Sequence, residues 1–178
     1  MTNAFLKALN LIQSNEPIIV PTDTVYGLVC RYDSKIATEK IYKIKKRSRK
    51  KPLILLGYDW KALKKFVRVG AGHGAPLRKQ WPGPLTLILP VSKHVPKYLN
   101  KGFQTIGIRV PDNKFLLKLL KQCPGQVLAS TSANISGKKD VKEIAKKVKL
   151  FVKAKKGEMS YKPSKVIEIK KEGIKLLR

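Results

Sequence analysis

Acidic residues are what this sequence is short of. Eleven Asp and Glu stand against 39 Lys and Arg in 178 residues, a formal net charge of +28, and so one-sided a balance predicts attraction to polyanions such as RNA, ribosomes or nucleotides. Lysine far outnumbers arginine; because arginine's planar fork is the usual tool of specific phosphate recognition, the charge reads equally as a solubilising surface. Aromatic residues make up 7% of the chain and are rarely interleaved with the basic ones, which argues against a single-strand stacking platform. The two cysteines, Cys30 and Cys123, sit among apolar neighbours without Cys-x-x-Cys spacing, so buried, reduced thiols are expected rather than metal ligands. His73 and His94 lie in different loops with no ligand-spaced partner, which makes both poor candidates for zinc or for a general base. No apolar run approaches the roughly 20 residues that span a bilayer. The start, Met-Thr-Asn-Ala-Phe-Leu-Lys, lacks a signal peptide's apolar centre, so a cytoplasmic protein without a membrane partner is expected. Internal repeats and a Gly-x-x-x-x-Gly-Lys-Ser/Thr phosphate loop are also missing.

What is there suits one domain, residues 1–178, around one substantial core. Phe5, Leu6, Leu9 and Ile12 form one helical stripe over Asn3 to Ser14, and Pro17 keeps it from running into the strand Ile18 to Val20. Val25 to Val29 reads as a second strand, and Ser34 caps a helix through Ile41 and Ile44 toward a basic string. Leu53 to Leu56 is a short buried strand, Asp59 caps a helix carrying Leu63, Phe66 and Val67, and Gly70 to Gly74 is a break before a short helical piece ending near Gln80. Pro82-Gly83-Pro84 is a stiff turn into the strand Leu85 to Leu89. After the strand Thr105 to Val110, Asp112 opens an amphipathic helix with Phe115, Leu116, Leu119 and Leu120. Val127 to Ala129 is a strand, Lys139 to Lys149 a last helix and Lys153 to Lys162 an exposed loop. Lys165 to Ile169 and Ile174 to Leu177 close the chain as an antiparallel pair around Lys171-Glu172-Gly173. Strands and helices so intermixed predict an α/β or α+β domain with a mixed sheet.

Two polar strings stand at strand exits: Pro21-Thr22-Asp23-Thr24-Val25-Tyr26-Gly27-Leu28 and Ser130-Thr131-Ser132-Ala133-Asn134-Ile135-Ser136-Gly137. Hydroxyls and amides there suit a ligand better than a core, which would leave them unsatisfied. Ser132 and Asn134 face one way just past a strand, and Ser136-Gly137 offers backbone N–H groups to an anion; a capping turn is the structural alternative. Lys45 and Arg47 can converge on phosphates at a helix end, or form a solvated cationic terminus. Arg109, at a strand end, can fork onto a carboxylate or pair with a structural Asp, and Thr24 can bind or merely cap a turn.

Taken in order with Lys45-Lys46-Arg47 and Trp81-Pro82-Gly83-Pro84-Leu85-Thr86, these strings resemble the TsaC/YrdC family of threonylcarbamoyl-AMP synthases over nearly the whole chain. The resemblance implies the YrdC-like twisted sheet of parallel and antiparallel strands, flanked by helices, with a basic concave face. It implies a nucleotidyltransferase that makes threonylcarbamoyl-AMP and pyrophosphate from L-threonine, bicarbonate and ATP, with Mg2+ bridging phosphates. The product serves the N6-threonylcarbamoyladenosine of tRNA position 37 and passes to a separate transferase complex; tRNA or another RNA is a further expected partner. Lys45 and Arg47 become catalytic and ATP-binding positions by this resemblance, joined at ATP by Lys51, Thr105, Ser130, Ser132, Asn134 and Arg178. Thr24, Arg109 and Ser164 become threonine contacts. Ser48, Lys51, Leu56, Lys165 and Glu168 depart from the usual family residues, and the length matches the short form of the family. The rival readings are a non-enzymatic RNA-binding or ribosome-maturation protein, and a carbamoyl-transfer domain of the hydrogenase-maturation type.

Overall fold

The computed structural model describes residues 3–48, 51–68, 75–134, 141–170 and 173–178. Helix α1 (Asn3–Gln13) buries Phe5, Ala8 and Ile12 on its apolar stripe, and beyond Pro17 comes β1 (Ile18–Val20), buried throughout. Strand β2 covers Gly27–Arg31 and starts two residues later than its β-branched lead-in predicts. Thr22 holds that lead-in as a turn, its Oγ1 donating to the Val25 carbonyl at 2.7 Å. Ser34 caps α2 (Lys35–Lys45) by accepting from the Ala37 N–H. After β3 (Ile54–Gly57), Asp59 caps α3 (Trp60–Leu63) by accepting from the Ala62 N–H. Helix α4 (Ala75–Arg78), strand β4 (Leu85–Pro90), helix α5 (Lys97–Asn100) and strand β5 (Thr105–Arg109) follow.

Further expectations need correction. The helix that Asp59 caps stops at Leu63, a tighter turn of helix covers Lys64–Phe66, and Val67 is extended. Asn113, not Asp112, opens α6 (Lys114–Gln122), accepting from the Leu116 N–H at 2.9 Å, while the Asp112 N–H points away to Asp23 Oδ1. Strand β6 (Val127–Ser132) outruns its apolar stretch by three residues, because Ser130, Thr131 and Ser132 all pair with β2 and Ser130 pairs with β3 as well. Of the last helix, the described residues contain the single turn α7 (Lys142–Ala145); the Ser136-Gly137 anion cradle and the Gly70 to Gly74 break lie outside the described residues. Strands β7 (Lys165–Lys170) and β8 (Gly173–Leu176) pair antiparallel as expected, with Lys171 and Glu172 of their turn also outside.

These strands form one sheet in the order β1-β2-β6-β3-β5-β4-β7-β8, parallel at β3–β5 and β4–β7 and antiparallel at the other pairings. Alternation then assigns the faces. Leu55, Leu87, Ile106, Ile108 and Ala129 join the core beneath α2 and α3. Val29, Leu56 and Leu128 turn to the opposite face, where α1 and α6 cover them. Farther across that second face the side chains change character. Ser130, Thr105, Gly107, Arg109, Thr86 and Ser164 lie there, interspersed with Ile54, Ile88 and Val166. Gly107 is at the floor of this polar half: a methyl group on it would meet Ile54 Cγ2 at 2.7 Å and Ile88 Cδ1 at 3.1 Å, so the bare backbone lets those two side chains close over the strand.

Candidate active site

Lys45 is the last residue of α2 and is 1% exposed. The left-handed Lys46 ends the helix and turns the chain away, while the Lys45 side chain passes the rim of the sheet to the exit of β6. Its ammonium donates to the Ser132 carbonyl, to Thr131 Oγ1 at 3.3 Å and to Asn134 Oδ1 at 3.3 Å; Ser132 Oγ donates to the same Asn134 oxygen at 2.6 Å. Burial, helped by the Arg47 charge, pushes Lys45 down to about 7 from an ordinary 10.5, since removal from water penalises the charged form. Arg47 does not share these partners. It folds back on its own loop, donating from Nε to the Lys51 carbonyl and from Nη2 to the Pro52 carbonyl, each at 3.0 Å, and burial lowers its pKa. Lys51 takes part through that carbonyl, with its side chain exposed.

The Lys45 shift has a measurable consequence. Below pH 7 the ammonium is charged in folded and unfolded chains alike and its desolvation cost is fully present. Between about 7 and 10.5 the unfolded chain holds a proton that the folded chain has shed, so stability rises with pH across that window. Urea denaturation at about pH 6 and about pH 9.5 is expected to show this rise in the wild-type protein and its loss in Lys45→Met.

A second cluster forms around Arg109. Its guanidinium is buried and donates from Nε to the Gly83 carbonyl at 3.0 Å, from Nη1 to Thr24 Oγ1 at 2.8 Å and from Nη2 to Asp23 Oδ1 at 2.6 Å. Arg109 therefore reaches both Thr24 and a structural Asp. Thr24, 1% exposed, is held in turn by Thr22, whose Oγ1 lies 2.9 Å from the Thr24 hydroxyl. Burial lowers the Arg109 pKa, Asp23 works against that, and the nearby charge of Arg178 lowers it further. Arg178 is tied into the sheet edge: its carbonyl accepts from the Val166 N–H at 2.9 Å, and its Nε donates to the Ser164 carbonyl at 3.3 Å. Ser164 is buried, with its hydroxyl 3.0 Å from Thr86 Oγ1.

The residues singled out in the sequence thus fall into two groups: Lys45, Ser132 and Asn134, with Arg47 and Lys51 beside them, and Thr24, Arg109, Ser164 and Arg178. Ser130 lies between them. A methyl on Gly27 would meet Ser130 Oγ at 3.4 Å and Thr22 Cγ2 at 3.6 Å, ordinary contact distances, so the two strand exits face each other across Gly27. Thr105 shares the Arg109 face but stands four residues back along β5, about 13 Å away at the usual strand rise. Asp23, Thr22, Thr86 and Thr131 were not among the expected site residues. Asp23 had a signal, as one of only 11 acidic residues and the direct neighbour of Thr24; the other three had only their place in the quoted strings.

The mixed parallel and antiparallel sheet flanked by helices defines an α/β protein with a YrdC-like fold. Residues 10–178 match the sequence profile of the Sua5/YciO/YrdC family, described as "Telomere recombination", and the chain belongs to that family. It is 35% identical over 141 residues to a threonylcarbamoyl-AMP synthase of Pseudoalteromonas translucida, covering 78% of this chain and 75% of that relative. Among solved structures it resembles the Pyrococcus abyssi Sua5 complex with L-threonine (TM-score 0.87, 30% identity, 98% of this chain), of which it spans about half, 53%. It also resembles Escherichia coli YciO, with a TM-score of 0.82 and 27% identity over 98% of this chain and 87% of that one.

Proposed function

We propose that the chain is a threonylcarbamoyl-AMP synthase, a single-domain enzyme of the cytoplasm that joins L-threonine, bicarbonate and ATP and releases pyrophosphate. The observation that carries this is the buried Arg109–Thr24 pair at the polar face of the sheet, together with a second cluster centred on a buried lysine. Three of the five guanidinium donors of Arg109 have protein partners, which leaves two N–H groups for a carboxylate. Thr24 and Ser164 supply hydroxyls beside it for the amino acid's polar groups. The deprotonated amine of threonine captures carbon dioxide, released from bicarbonate with hydroxide, and the proton that the nitrogen loses converts that hydroxide to water, leaving a carbamate. A carbamate oxygen then forms a bond to the α-phosphorus as the bond to pyrophosphate breaks.

Lys45 and Arg47 stand where they offset charge that develops on the phosphates, and Ser130, Ser132, Asn134, Lys51, Thr105 and Arg178 contribute the remaining ATP contacts. Anionic phosphates favour the charged form of Lys45, so ATP binding above neutral pH takes up a proton. Among the described residues no three His, Cys, Asp or Glu come together as a metal site. Mg2+ would be carried by the phosphates of ATP, its usual manner of binding in nucleotide enzymes, and would neutralise part of their charge. Pyrophosphate release with threonine, bicarbonate and ATP, each omitted in turn, tests the reading; release that does not depend on threonine sinks it. The product goes on to a transferase complex that modifies tRNA.

Arg178 gives a sharper check. Removing it deletes one guanidinium beside Arg109 and two backbone hydrogen bonds with Val166, each worth about 0.5–1.5 kcal/mol, so KM for ATP is expected to rise several-fold while the melting temperature falls by several degrees at most. Wild-type ATP dependence in the deletion variant would strike Arg178 from the site.

One observation favours an additional RNA contact. A groove of about 650 Å3 is lined by Lys64, Lys65, Arg68, Lys93 and His94 with no described acidic residue in its wall. If this face engages phosphates, RNA affinity is expected to fall steeply with salt, with a log–log slope of about −0.7 to −0.9 per phosphate neutralised. A flat titration by fluorescence anisotropy would leave the lysines as solubilising surface.

A further inference from the structure

We infer that Asp23 is the residue that makes the Arg109 end of the site selective for an amino-acid carboxylate over phosphate. The inference rests on Arg109 being the threonine carboxylate's partner. Asp23 is held at three points. Its Oδ1 accepts from Arg109 Nη2 at 2.6 Å and from the Asp112 N–H at 3.2 Å, and its carbonyl accepts from the Ser160 N–H at 3.0 Å. The lead-in to β2, the end of β5, the entry to α6 and the segment before β7 therefore meet on this one residue. The other carboxylate oxygen, Oδ2, is buried without a hydrogen-bond partner among the described residues. A buried acceptor left unsatisfied is unfavourable, so this placement is not explained by what the carboxylate gains for itself. It is explained by where it holds Arg109.

The charge balance gives that placement a use. Four cations serve the proposed site, and they differ in how they are matched. The side-chain acceptors and carbonyls around Lys45, Arg47 and Arg178 are neutral, whereas Arg109 alone of the four is paired with a carboxylate within the site. A polyphosphate is drawn to uncompensated positive charge. An amino acid is a zwitterion and needs only a fixed fork for its single carboxylate. With Asp23 in place, the Arg109–Asp23 pair carries no net charge and presents oriented N–H groups, and the polyphosphate is directed instead to the unmatched cations Lys45, Arg47 and Arg178. Without the carboxylate, Arg109 becomes one more unpaired cation, close to Arg178, and attracts phosphate into the threonine position.

Calorimetric titration of threonine into the full chain, with and without inorganic tripolyphosphate, tests this. In the wild-type protein tripolyphosphate is expected to leave threonine affinity unchanged. Asp23→Asn keeps an acceptor of the same shape and removes the charge; it is expected to weaken threonine about tenfold or more and to make tripolyphosphate compete with threonine. Asp23→Glu keeps the charge on a longer arm, and is expected to prevent that competition while threonine affinity stays reduced. Threonine binding in Asp23→Asn that equals the wild type, or that tripolyphosphate does not disturb, overturns the inference. Should Asp23→Asn fail to fold by its melting curve, wild-type threonine affinity in Asp23→Glu overturns it instead. Arg109→Lys separates the two layers. Weakened threonine there, with Asp23→Asn unaffected, removes the role of Asp23 and keeps the threonine site. Unchanged affinity in Arg109→Lys removes both.

Discussion

Arg109→Ala is expected to lose about 3–5 kcal/mol of folding stability, because it strands the Asp23 carboxylate without its counter-charge in a buried place. For a chain of this size that lowers the melting temperature by about 10 °C, readable by circular dichroism or calorimetry. Thr24 loses a donor at the same moment, and so does the Gly83 carbonyl. Threonine binding is expected to vanish with the guanidinium. The double substitution Asp23→Leu with Arg109→Met distinguishes the two effects, since exchanging both members of a buried ion pair for apolar side chains is often neutral. Most of the stability is expected to return in the double variant, and none of the threonine affinity. A single Arg109→Ala variant with the wild-type melting temperature would mean that the pair is far more hydrated than its burial indicates.

Lys45→Ala is expected to reduce adenylate formation about 10²–10³-fold, the usual cost of deleting one preorganised electrostatic stabiliser of developing negative charge. The three N–H groups of Lys45 already serve Thr131, Ser132 and Asn134, so it acts on the phosphates through its charge. Stability is expected to change far less than in Arg109→Ala, because the groups left behind at Lys45 are neutral and removal of the ammonium also removes its desolvation cost. Lys45→Arg is not expected to rescue the reaction: the site is closed around a point charge, and a planar fork needs more room. Single-turnover release of pyrophosphate measures the loss. Proton uptake on ATP binding, measured by calorimetry in two buffers of different ionisation enthalpy, should disappear in the same variant. Near-normal turnover in Lys45→Ala would show that Lys45 only locks the end of α2 to β6.

Much of the frame was legible because it depends on local rules. Pro17, Ser34 and Asp59 each end or begin an element where their chemistry requires, and apolar runs mark most of the strands. Legibility failed where a distant residue decides. Asp112 reads as a cap until Asp23, 89 positions earlier, takes its N–H. Ser130 to Ser132 read as a loop until two neighbouring strands pair with them. Lys45 reads as a solvated helix end, since nothing in its own segment shows that its acceptors lie at 131–134. The loop from Lys153 to Lys162 reads as wholly exposed, yet Met159 is buried, the Ala154 N–H donates to Tyr26 Oη and Glu158 Oε1 accepts from Asn113 Nδ2. Arg109 and Thr24 were each legible as residue types by resemblance. Their contact, 85 positions apart in sequence, needed the sheet.

The place of β6 between β2 and β3 also governs how the chain is made. A ribosome releases β2 and β3 early, but the strand that joins them is about 70 residues behind β3, so both edges wait unpaired during synthesis. Lys45 waits too, because none of its acceptors exists until Thr131 has been synthesised and the set is complete only with Asn134. Long-range pairing of this kind is slow and leaves apolar edges open to other chains. The nascent polypeptide is therefore most exposed to misassembly, and most in need of a chaperone, in the interval between the emergence of Gly57 and that of Ser132.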